Sequence, residues 1–355
     1  MSSFAGKNYY ADYAEDFHCI ADRCSHSCCI GWEIDIDDAS LSRFTSVTGP
    51  LGDKLRDFIY IPSEDSGEDD FCAHFILGQD ERCPFLNEKN LCELILGLGE
   101  DSLCDICRDH PRFRNFYSDR IEVGLGLCCE EAARILLLQK QPVHLVSQDS
   151  EESSCTPVEQ AFFTWRDRLF NIVFDPAHSL EEIFSKLSCA PFLGKKTGNV
   201  QGAPLLSAPG IQDLAGFLMT LERLDPSWGE ILDSLRKPLT DPDVSVFKDH
   251  MRSSGRQTEY RMLLWYFLYR HLAGGLDEEY EDIAFDLDAR VRFAIAATRI
   301  LFFLGAAHFH EHNTFTLEDQ VELARMFSSE IEYSDENVGK ILEYLSEYTS
   351  RAQST

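Results

Sequence analysis

The placement of cysteines is the feature that most constrains how this chain can fold. Eleven of the thirteen cysteines lie at or before Cys129, so they belong to one region and one chemistry. Clustered thiols in a cytoplasmic chain bind metal more often than they form disulfides. Four thiolates suffice for a structural zinc ion or for a [4Fe–4S] cluster. We therefore expect a metal-binding region, and disulfides are the weaker interpretation because enough apolar sequence lies elsewhere.

The spacing of the cysteines leaves the identity of the metal open. Ten of the eleven fall into two groups: the first is Cys19-x4-Cys24-x3-Cys28-Cys29, and the second comprises Cys83, Cys92, Cys104, Cys107, Cys128 and Cys129. Only Cys104 and Cys107 have the CxxC spacing that zinc sites use in separated pairs. The bacterial ferredoxin run and the C-x3-C-x2-C spacing of radical S-adenosylmethionine enzymes are both absent. The spacing therefore predicts a thiolate-bound metal without distinguishing iron–sulfur from zinc.

Charge and hydropathy limit the classes of partner. The 61 acidic and 32 basic residues give a net charge of −29, which opposes binding to nucleic-acid phosphates. That charge suits a cationic protein surface, although a simple solvated acidic surface explains it equally well. Met1 to Phe17 lack the apolar core of a signal peptide, and charged residues interrupt the longest apolar stretch, Val291 to Ala307. We expect a cytoplasmic protein with no membrane span and no nucleic-acid partner.

Residue composition and apolar periodicity divide the chain into two parts joined by a linker. Residues 1–145 are irregular and rich in Gly, Pro and Cys, with an acidic loop at Pro62 to Asp70. The Ser- and Glu-rich segment 146–157 is typical of a linker, and residues 158–355 have the periodicity of amphipathic helices. We therefore predict a predominantly α-helical protein, with a cysteine-rich metal-binding N-terminal lobe, a linker, and a helical domain.

Apolar periodicity predicts individual elements. Short periodic segments precede the linker, the last of them a predicted helix: Asp38–Phe44, Leu91–Leu98 and Glu130–Gln139. Helical spacing after the linker predicts Pro157–Val173, Leu180–Leu187, Ile211–Leu224, Glu259–His271, Ala289–Leu304 and Asn337–Glu347. Thr316 with Asp319 predicts a capped helix through Met326, and Lys195 to Gly210 reads as a loop.

Histidines and aromatic residues in the second half have structural interpretations that we prefer. His308, His310 and His312 alternate after the predicted helix end at Leu304 and indicate a polar loop. Three histidines on one face of an extended segment would bind metal, but a helix would align only His308 and His312. Helical spacing predicts core positions for the aromatic residues Trp165, Trp265, Tyr260, Tyr266, Phe267 and Tyr269.

Four segments between Cys19 and Leu138 carry a family pattern. They are Cys19…Cys24…Cys28-Cys29-Ile30-Gly31-Trp32, Cys83-Pro84-Phe85-Leu86-Asn87…Leu91-Cys92, Leu98-Gly99-Glu100…Cys107-Arg108-Asp109-His110-Pro111-Arg112 and Cys129-Glu130-Glu131-Ala132-Ala133-Arg134. In combination they resemble the flagellin lysine-N-methylase family, whose cysteine pattern also occurs in a wider group of zinc- or iron-chelating proteins. Tyr260–Leu272 and Phe315–Phe327 are compatible with that family.

The resemblance implies an activity and a set of metal ligands. It implies methyl transfer from S-adenosylmethionine to lysine side chains of a protein, with flagellin as the substrate and a [4Fe–4S] cluster as a cofactor. The implied metal ligands are Cys19, Cys24, Cys28, Cys29, Cys83, Cys92, Cys107 and Cys129. Cys104 and Cys128 stand where serine is common in the family and count as extra thiols. His110 replaces the usual aromatic residue, and Glu130 replaces a proline.

The cofactor site and the catalytic base are less clearly marked in the sequence. Arg108 and Arg112 flank Pro111, and we predict that a guanidinium there holds the carboxylate of S-adenosylmethionine. The alternative is that both arginines pair with acidic loops. Gly97-Leu98-Gly99 and Gly124-Leu125-Gly126 lack the strand–helix context of a Rossmann site, and no residue is assigned as the base. The alternative function is a non-enzymatic zinc- or iron-binding scaffold or redox protein.

Overall fold

The computed structural model describes residues 7–62, 73–147, 155–192, 208–276 and 283–352. Nearly all of the predicted acidic loop and most of the predicted linker lie outside these residues. The predicted loop 195–210 also lies outside them, except for its last three residues, which begin a helix.

The described chain is mostly helical, and its N-terminal region mixes strands with short helices. The strands are β1 Lys7–Ala11, β2 Asp35–Ile36, β3 Ile59–Tyr60, β4 Ala73–Phe75, β5 Arg112–Phe116, β6 Arg120–Leu125 and β7 Leu145–Ser147. The helices before residue 200 are α1 Asp38–Ser46, α2 Gly49–Phe58, α3 Glu93–Leu98, α4 Asp105–Asp109, α5 Glu130–Leu138, α6 Pro157–Phe174 and α7 Leu180–Ser188. The later helices are α8 Ala208–Leu218, α9 Pro226–Asp233, α10 Asp241–Ser253, α11 Glu259–His271, α12 Ile283–His312, α13 Leu317–Phe327 and α14 Asp335–Ala352.

Contacts divide the chain into two units, which we call the sheet–helix unit and the cysteine unit. The sheet–helix unit contains residues up to 17, residues 113–128 and the chain from 132 onward. The cysteine unit contains residues 18–112 and 129–131. The predicted boundary at residue 145 would place β1 and β6 apart from the helical domain. Contacts group β1, β6 and β7 with the helices, because these strands belong to one sheet beside α6. The division into separately folding domains stays a prediction.

A four-stranded sheet organises the N-terminal part of the sheet–helix unit. Its strand order is β5-β6-β1-β7, so the chain's first described strand lies inside the sheet. β1 runs parallel to β6, with Tyr9 opposite Glu122, and antiparallel to β7, with Ala11 opposite Leu145. A parallel pair needs a long crossover connection, and here the connection contains most of the cysteine unit.

Two apolar helices form the core of the sheet–helix unit. α11 covers the predicted Glu259–His271 and buries Trp265, Tyr266 and Phe267, which confirms their predicted core positions. α12 is long and apolar enough to cross a membrane by length and composition, but 72% of its most apolar window is buried inside the protein. Burial of this kind is typical of a core helix that packs on neighbours around its circumference. The capping box predicted for Thr316 and Asp319 is confirmed at the start of α13.

The predicted polar loop at the histidines is wrong, because α12 continues to His312. The helix extends beyond the apolar core, and its polar side chains find partners there. The rings of His308 and His312 lie 4.4 Å apart, while Nδ1 of His310 lies 3.2 Å from Oδ1 of Asp243. The helical period therefore separates His310 from the other two histidines.

The cysteine unit has a small core of its own. The sheet β2-β4-β3 packs with α1, α2 and α3 through buried residues that include Phe44, Phe75 and Phe85. Asp37 caps α1 by accepting a 2.9 Å hydrogen bond from the Ser40 amide, and it also accepts one of 2.9 Å from the Asp105 amide. Burial alone would raise the pKa of Asp37, but these hydrogen bonds lower it to about 2. One carboxylate thus holds the starts of α1 and α4 together.

Candidate functional site

Five cysteines pack against the core of the cysteine unit, and we call them the inner thiol group. They are Cys29, Cys83, Cys92, Cys104 and Cys107. The Cys83 amide donates a 2.8 Å hydrogen bond to the Cys29 carbonyl, and Cys92 forms an isolated β-bridge with Leu86. Cys104 precedes α4, and the Cys107 thiol on that helix donates a hydrogen bond to the Cys104 sulfur. Short turns and one helix therefore bring together thiols that lie up to 78 residues apart, from 29 to 107.

Four further cysteines interact around the start of α5, and we call them the outer thiol group. They are Cys19, Cys24, Cys28 and Cys129. Cys28 interacts electrostatically with Cys19 and Cys129, and Cys24 interacts with the same two residues. The Ser25 amide donates a 2.9 Å hydrogen bond to the Glu130 carboxylate, so Glu130 holds this loop within the cysteine unit.

Local environment sets the protonation of these thiols. Burial raises the pKa of Cys83 to about 12 and that of Cys24 to about 11. The hydrogen bond that Cys28 donates to Cys29 lowers the pKa of Cys29 to about 7 and raises that of Cys28. Near pH 7 the Cys29 sulfur is therefore the most readily ionised of these four. Thiolates are the metal-binding form, so binding to the others requires loss of protons.

The thiols suit a soft metal by chemistry but do not form a ready-made site. Thiolate sulfur is the preferred donor for zinc and for iron–sulfur clusters. Within the ranges that the structure describes, however, no three Cys, His, Asp or Glu side chains are grouped closely enough to hold one ion. The eight predicted metal ligands are thus divided between the inner and outer groups, and their role as ligands stays a prediction. We derive no reaction step from a metal.

The two predicted cofactor-binding arginines lie at the end of the cysteine unit. Arg108 lies on α4 and forms an ion pair with Asp105 one turn earlier on the same helix, not with an acidic loop. Arg112 is half-buried at the start of β5. Between them, His110 packs against Trp32 with ring centroids 5.8 Å apart, and the Trp32 indole donates a hydrogen bond to the Cys28 carbonyl. Binding of a cofactor carboxylate by either arginine stays a prediction.

A cavity of about 710 Å³ lies within the sheet–helix unit, between the four-stranded sheet and α6. One face of α6 lines it through residues spaced three or four apart: Phe163, Arg166, Asp167, Phe170, Asn171 and Phe174. The sheet contributes Tyr9 from β1, Arg120 and Glu122 from β6, and Leu145 from β7. Alternation along β6 turns Arg120 and Glu122 to the same face. The volume falls within the roughly 300–1,000 Å³ usual for small-molecule sites.

Both arginines that line this cavity form ion pairs. Arg166 is buried and forms a bidentate ion pair with Glu122, with N–O distances of 2.6 and 2.9 Å. Arg120 pairs with Asp119 at 3.0 Å, and its guanidinium lies 4.7 Å from the Tyr9 ring centroid and 4.1 Å from that of Phe163.

Asp167, by contrast, makes no hydrogen bond or ion pair with any residue that the structure describes. Partial desolvation raises the pKa of its carboxyl above the ordinary value, although Arg166 and Arg120 oppose that rise. The side chain is nevertheless solvent-accessible. Asp167 is therefore the carboxylate of the cavity that remains available to a ligand.

Sequence reasoning missed this cavity. Pro157–Val173 was predicted as an amphipathic helix, and its apolar face was assigned to the core. The signal that marks the site is the presence of Arg166, Asp167 and Asn171 on the same face as three phenylalanines. Polar side chains on an apolar helix face indicate either a buried pair or a lined cavity, and α6 has both.

Comparisons with known proteins agree on one family. Residues 211–353 match the family model described as FliB lysine N-methylase C-terminal domain. The flagellar biosynthetic protein FliU of Salmonella muenchen is 27% identical over 127 residues, which cover 35% of this chain and 73% of FliU. The lysine-N-methylase of Salmonella choleraesuis is 25% identical over 157 residues, or 43% of this chain and 36% of that protein.

A third relative, the lysine-N-methylase of Salmonella typhimurium, is 26% identical over 153 residues, which cover 42% of this chain and 35% of that protein. The matched segment thus spans about a third of the length of each lysine-N-methylase. No solved structure matches the chain.

Proposed function

Because the chain belongs to the FliB lysine N-methylase family, we propose that it is an S-adenosylmethionine-dependent protein lysine N-methyltransferase. The observation that carries this proposal is the match of residues 211–353 to the lysine N-methylase C-terminal domain, together with two lysine-N-methylase relatives. The whole activity is a proposal, since the matched segment covers only part of each of those relatives.

The proposed substrate is flagellin, and the proposed site of action is the cytoplasm. The name of FliU connects one relative with flagellar biosynthesis, which supports a flagellar substrate. The net charge of −29 supports a partner whose surface carries exposed lysines. The proposed cofactors are S-adenosylmethionine and a cysteine-ligated [4Fe–4S] cluster, with zinc as the alternative metal.

The chemistry sets two requirements on the protein. A lysine amine must lose its proton before its lone pair can attack the methyl carbon, while the carbon–sulfur bond breaks with its electrons left on sulfur. Desolvation lowers the pKa of an amine, and a nearby carboxylate can accept the proton. We favour this polar displacement because the chain lacks the C-x3-C-x2-C spacing of radical enzymes.

A methylation assay tests the proposal. The full chain, purified anaerobically, is incubated with flagellin and isotope-labelled S-adenosylmethionine, and the products are mapped by mass spectrometry. We expect label on lysine side chains of flagellin. The matched control is flagellin whose lysines have been acetylated beforehand, which should remain unlabelled. Protein with bound metal that labels no lysine would contradict the flagellin assignment.

The inner thiol group favours a second candidate, a metal-binding protein without enzymatic activity. Five thiols packed against one core would stabilise the cysteine unit on binding metal, whether or not a reaction follows. Elemental analysis and an absorption spectrum distinguish the two candidates when read beside the methylation assay. Colourless protein with stoichiometric zinc and no methyl transfer would support the second candidate.

A further inference from the structure

We propose that the cavity between α6 and the four-stranded sheet binds an organic cation, with Asp167 as its counter-charge. The inference rests on the proposed function, because two cations take part in lysine methylation. One is the sulfonium of the methyl donor, and the other is the ammonium of the lysine side chain. The cavity lies wholly within the sheet–helix unit and is formed by β1, β6, β7 with the residues 142–144 before it, α6 and the loop that follows α6.

The charge of the cavity favours a cation over an anion. The two arginines that line it, Arg120 and Arg166, already pair with Asp119 and Glu122. Among the lining carboxylates, Asp175 accepts a 2.9 Å hydrogen bond from the Ala177 amide and lies 3.3 Å from the ring of His178. Asp167 has no such partner in the described part of the chain. A bound cation would supply the missing partner.

The walls of the cavity suit a cation that carries an apolar body. Phe174 is half-buried on the same face of α6 as Asp167, and aromatic ring faces attract both ammonium and sulfonium groups. The neighbouring Phe170 ring already has the Arg166 guanidinium 5.4 Å from its centroid. Val143 and Leu145 lie on the opposite side and offer apolar surface. The exposed Asn171 amide adds a donor and an acceptor for hydroxyl or amide groups of a ligand.

Calorimetric titration of the full chain with two matched pairs of probes distinguishes the sources of the cation. The first pair is S-adenosylmethionine and S-adenosylhomocysteine, which differ by one methyl group and one positive charge. The second pair is a flagellin peptide with one lysine and the same peptide with norleucine in its place. Binding is compared between the native chain, the Asp167→Asn variant and the Asp213→Asn variant. Asp213 is an exposed carboxylate on α8, outside the cavity, and serves as the control.

We expect Asp167→Asn to weaken binding of the cation in one pair by about tenfold, the size of one charged hydrogen bond, and to leave its neutral partner unchanged. The pair that responds identifies the source of the cation. Asp213→Asn should change neither pair. Asp167→Lys, which places an ammonium in the cavity permanently, should abolish binding of the same cation. Asp167 makes no hydrogen bond to described residues, so neither variant removes one, although both remove its electrostatic interaction with Arg166 and Arg120.

Equal binding of the cation by the native chain and by Asp167→Asn would overturn the inference, as would absence of binding to the native chain. An equal loss for the charged and neutral members of a pair would also overturn it, because it would indicate a structural defect. Methyl transfer by the native chain decides the proposed function independently. Active enzyme with unchanged binding in Asp167→Asn would therefore refute the cavity assignment alone.

Discussion

Replacing Glu122 by glutamine should strongly destabilise the sheet–helix unit. The side chain of Glu122 is 0% exposed and that of Arg166 is 3% exposed, so the two charges compensate each other away from water. Glutamine keeps the shape of glutamate and one acceptor oxygen, but it leaves the guanidinium without its buried counter-charge. The Tyr117 hydroxyl, 3.3 Å from Arg166, is neutral and does not replace that charge.

The size of the effect follows from the burial of the pair. Breaking a buried ion pair by removing one partner costs about 3–5 kcal/mol, because an uncompensated charge remains inside. Asp167 interacts with Arg166 and partly offsets the loss, so we expect the lower end, about 3 kcal/mol. A unit of this size loses roughly 2–4 °C in Tm per kcal/mol, which predicts a fall of about 6–12 °C.

Urea denaturation followed by circular dichroism measures this loss as a free energy of unfolding. The double variant Glu122→Leu with Arg166→Met removes both charges and should recover most of the stability, because no charge is then left buried. The surface control is Asp249→Asn, which breaks an exposed ion pair with Arg252 and should change stability by less than about 0.5 kcal/mol. A loss below about 1 kcal/mol for Glu122→Gln, or a double variant no more stable than the single one, would refute this reasoning.

Three further outcomes are expected. Burial lowers the pKa of His110 to about 4, so its folded form stays neutral while the unfolded chain takes up a proton below the ordinary value of 6.5. Stability that is fully present above pH 6.5 should therefore fall by up to roughly 3 kcal/mol as the pH drops to 4, and His110→Phe should flatten this pH dependence in urea titrations. Replacing Cys28 or Cys29 by serine should lower bound metal in elemental analysis, whereas serine at Cys155 or Cys189 should not; unchanged metal in the first two variants would remove them from the ligand set. Methyl transfer to flagellin should slow as salt rises, through weaker encounter of unlike charges, and a rate insensitive to salt would discard electrostatic steering.

Helices were predictable where apolar periodicity was long. The predicted Glu259–His271 coincides with α11, and the predicted Pro157–Val173 ends one residue before α6 does. α10 was missed, although Thr240 and Asp243 form a capping box at its start. Its sequence begins with polar residues and has few apolar positions, so periodicity alone gave a weak signal.

The short strands and the candidate sites could not be predicted, because they form through contacts between residues that are distant in the sequence. β2 and β3 have two residues each, which is too few for an alternation of apolar and polar residues to be recognised. The cysteine spacing identified which residues share one chemistry, but not that Cys29 would pack against the core of the cysteine unit while Cys28, hydrogen-bonded to it, interacts with Cys19 and Cys129. Likewise, helical spacing predicted the helix that carries Asp167. It could not predict that β6, which contributes Arg120 and Glu122 to the cavity, pairs in parallel with the distant strand β1.

The parallel pairing of β1 with β6 has a consequence for synthesis on the ribosome. Tyr10 pairs with Val123, so 113 further residues must be synthesised before the partner of β1 exists. At 5–20 residues per second this synthesis takes roughly 6–23 s. Every member of the inner thiol group has been translated by Cys107, before β6 begins. The outer thiol group needs Cys129, which follows β6. A nascent chain from which Cys107 has emerged from the ribosome, but β6 has not, would thus offer the inner group to metal while the first strand is still unpaired, and the outer group would be completed only once the sheet can close.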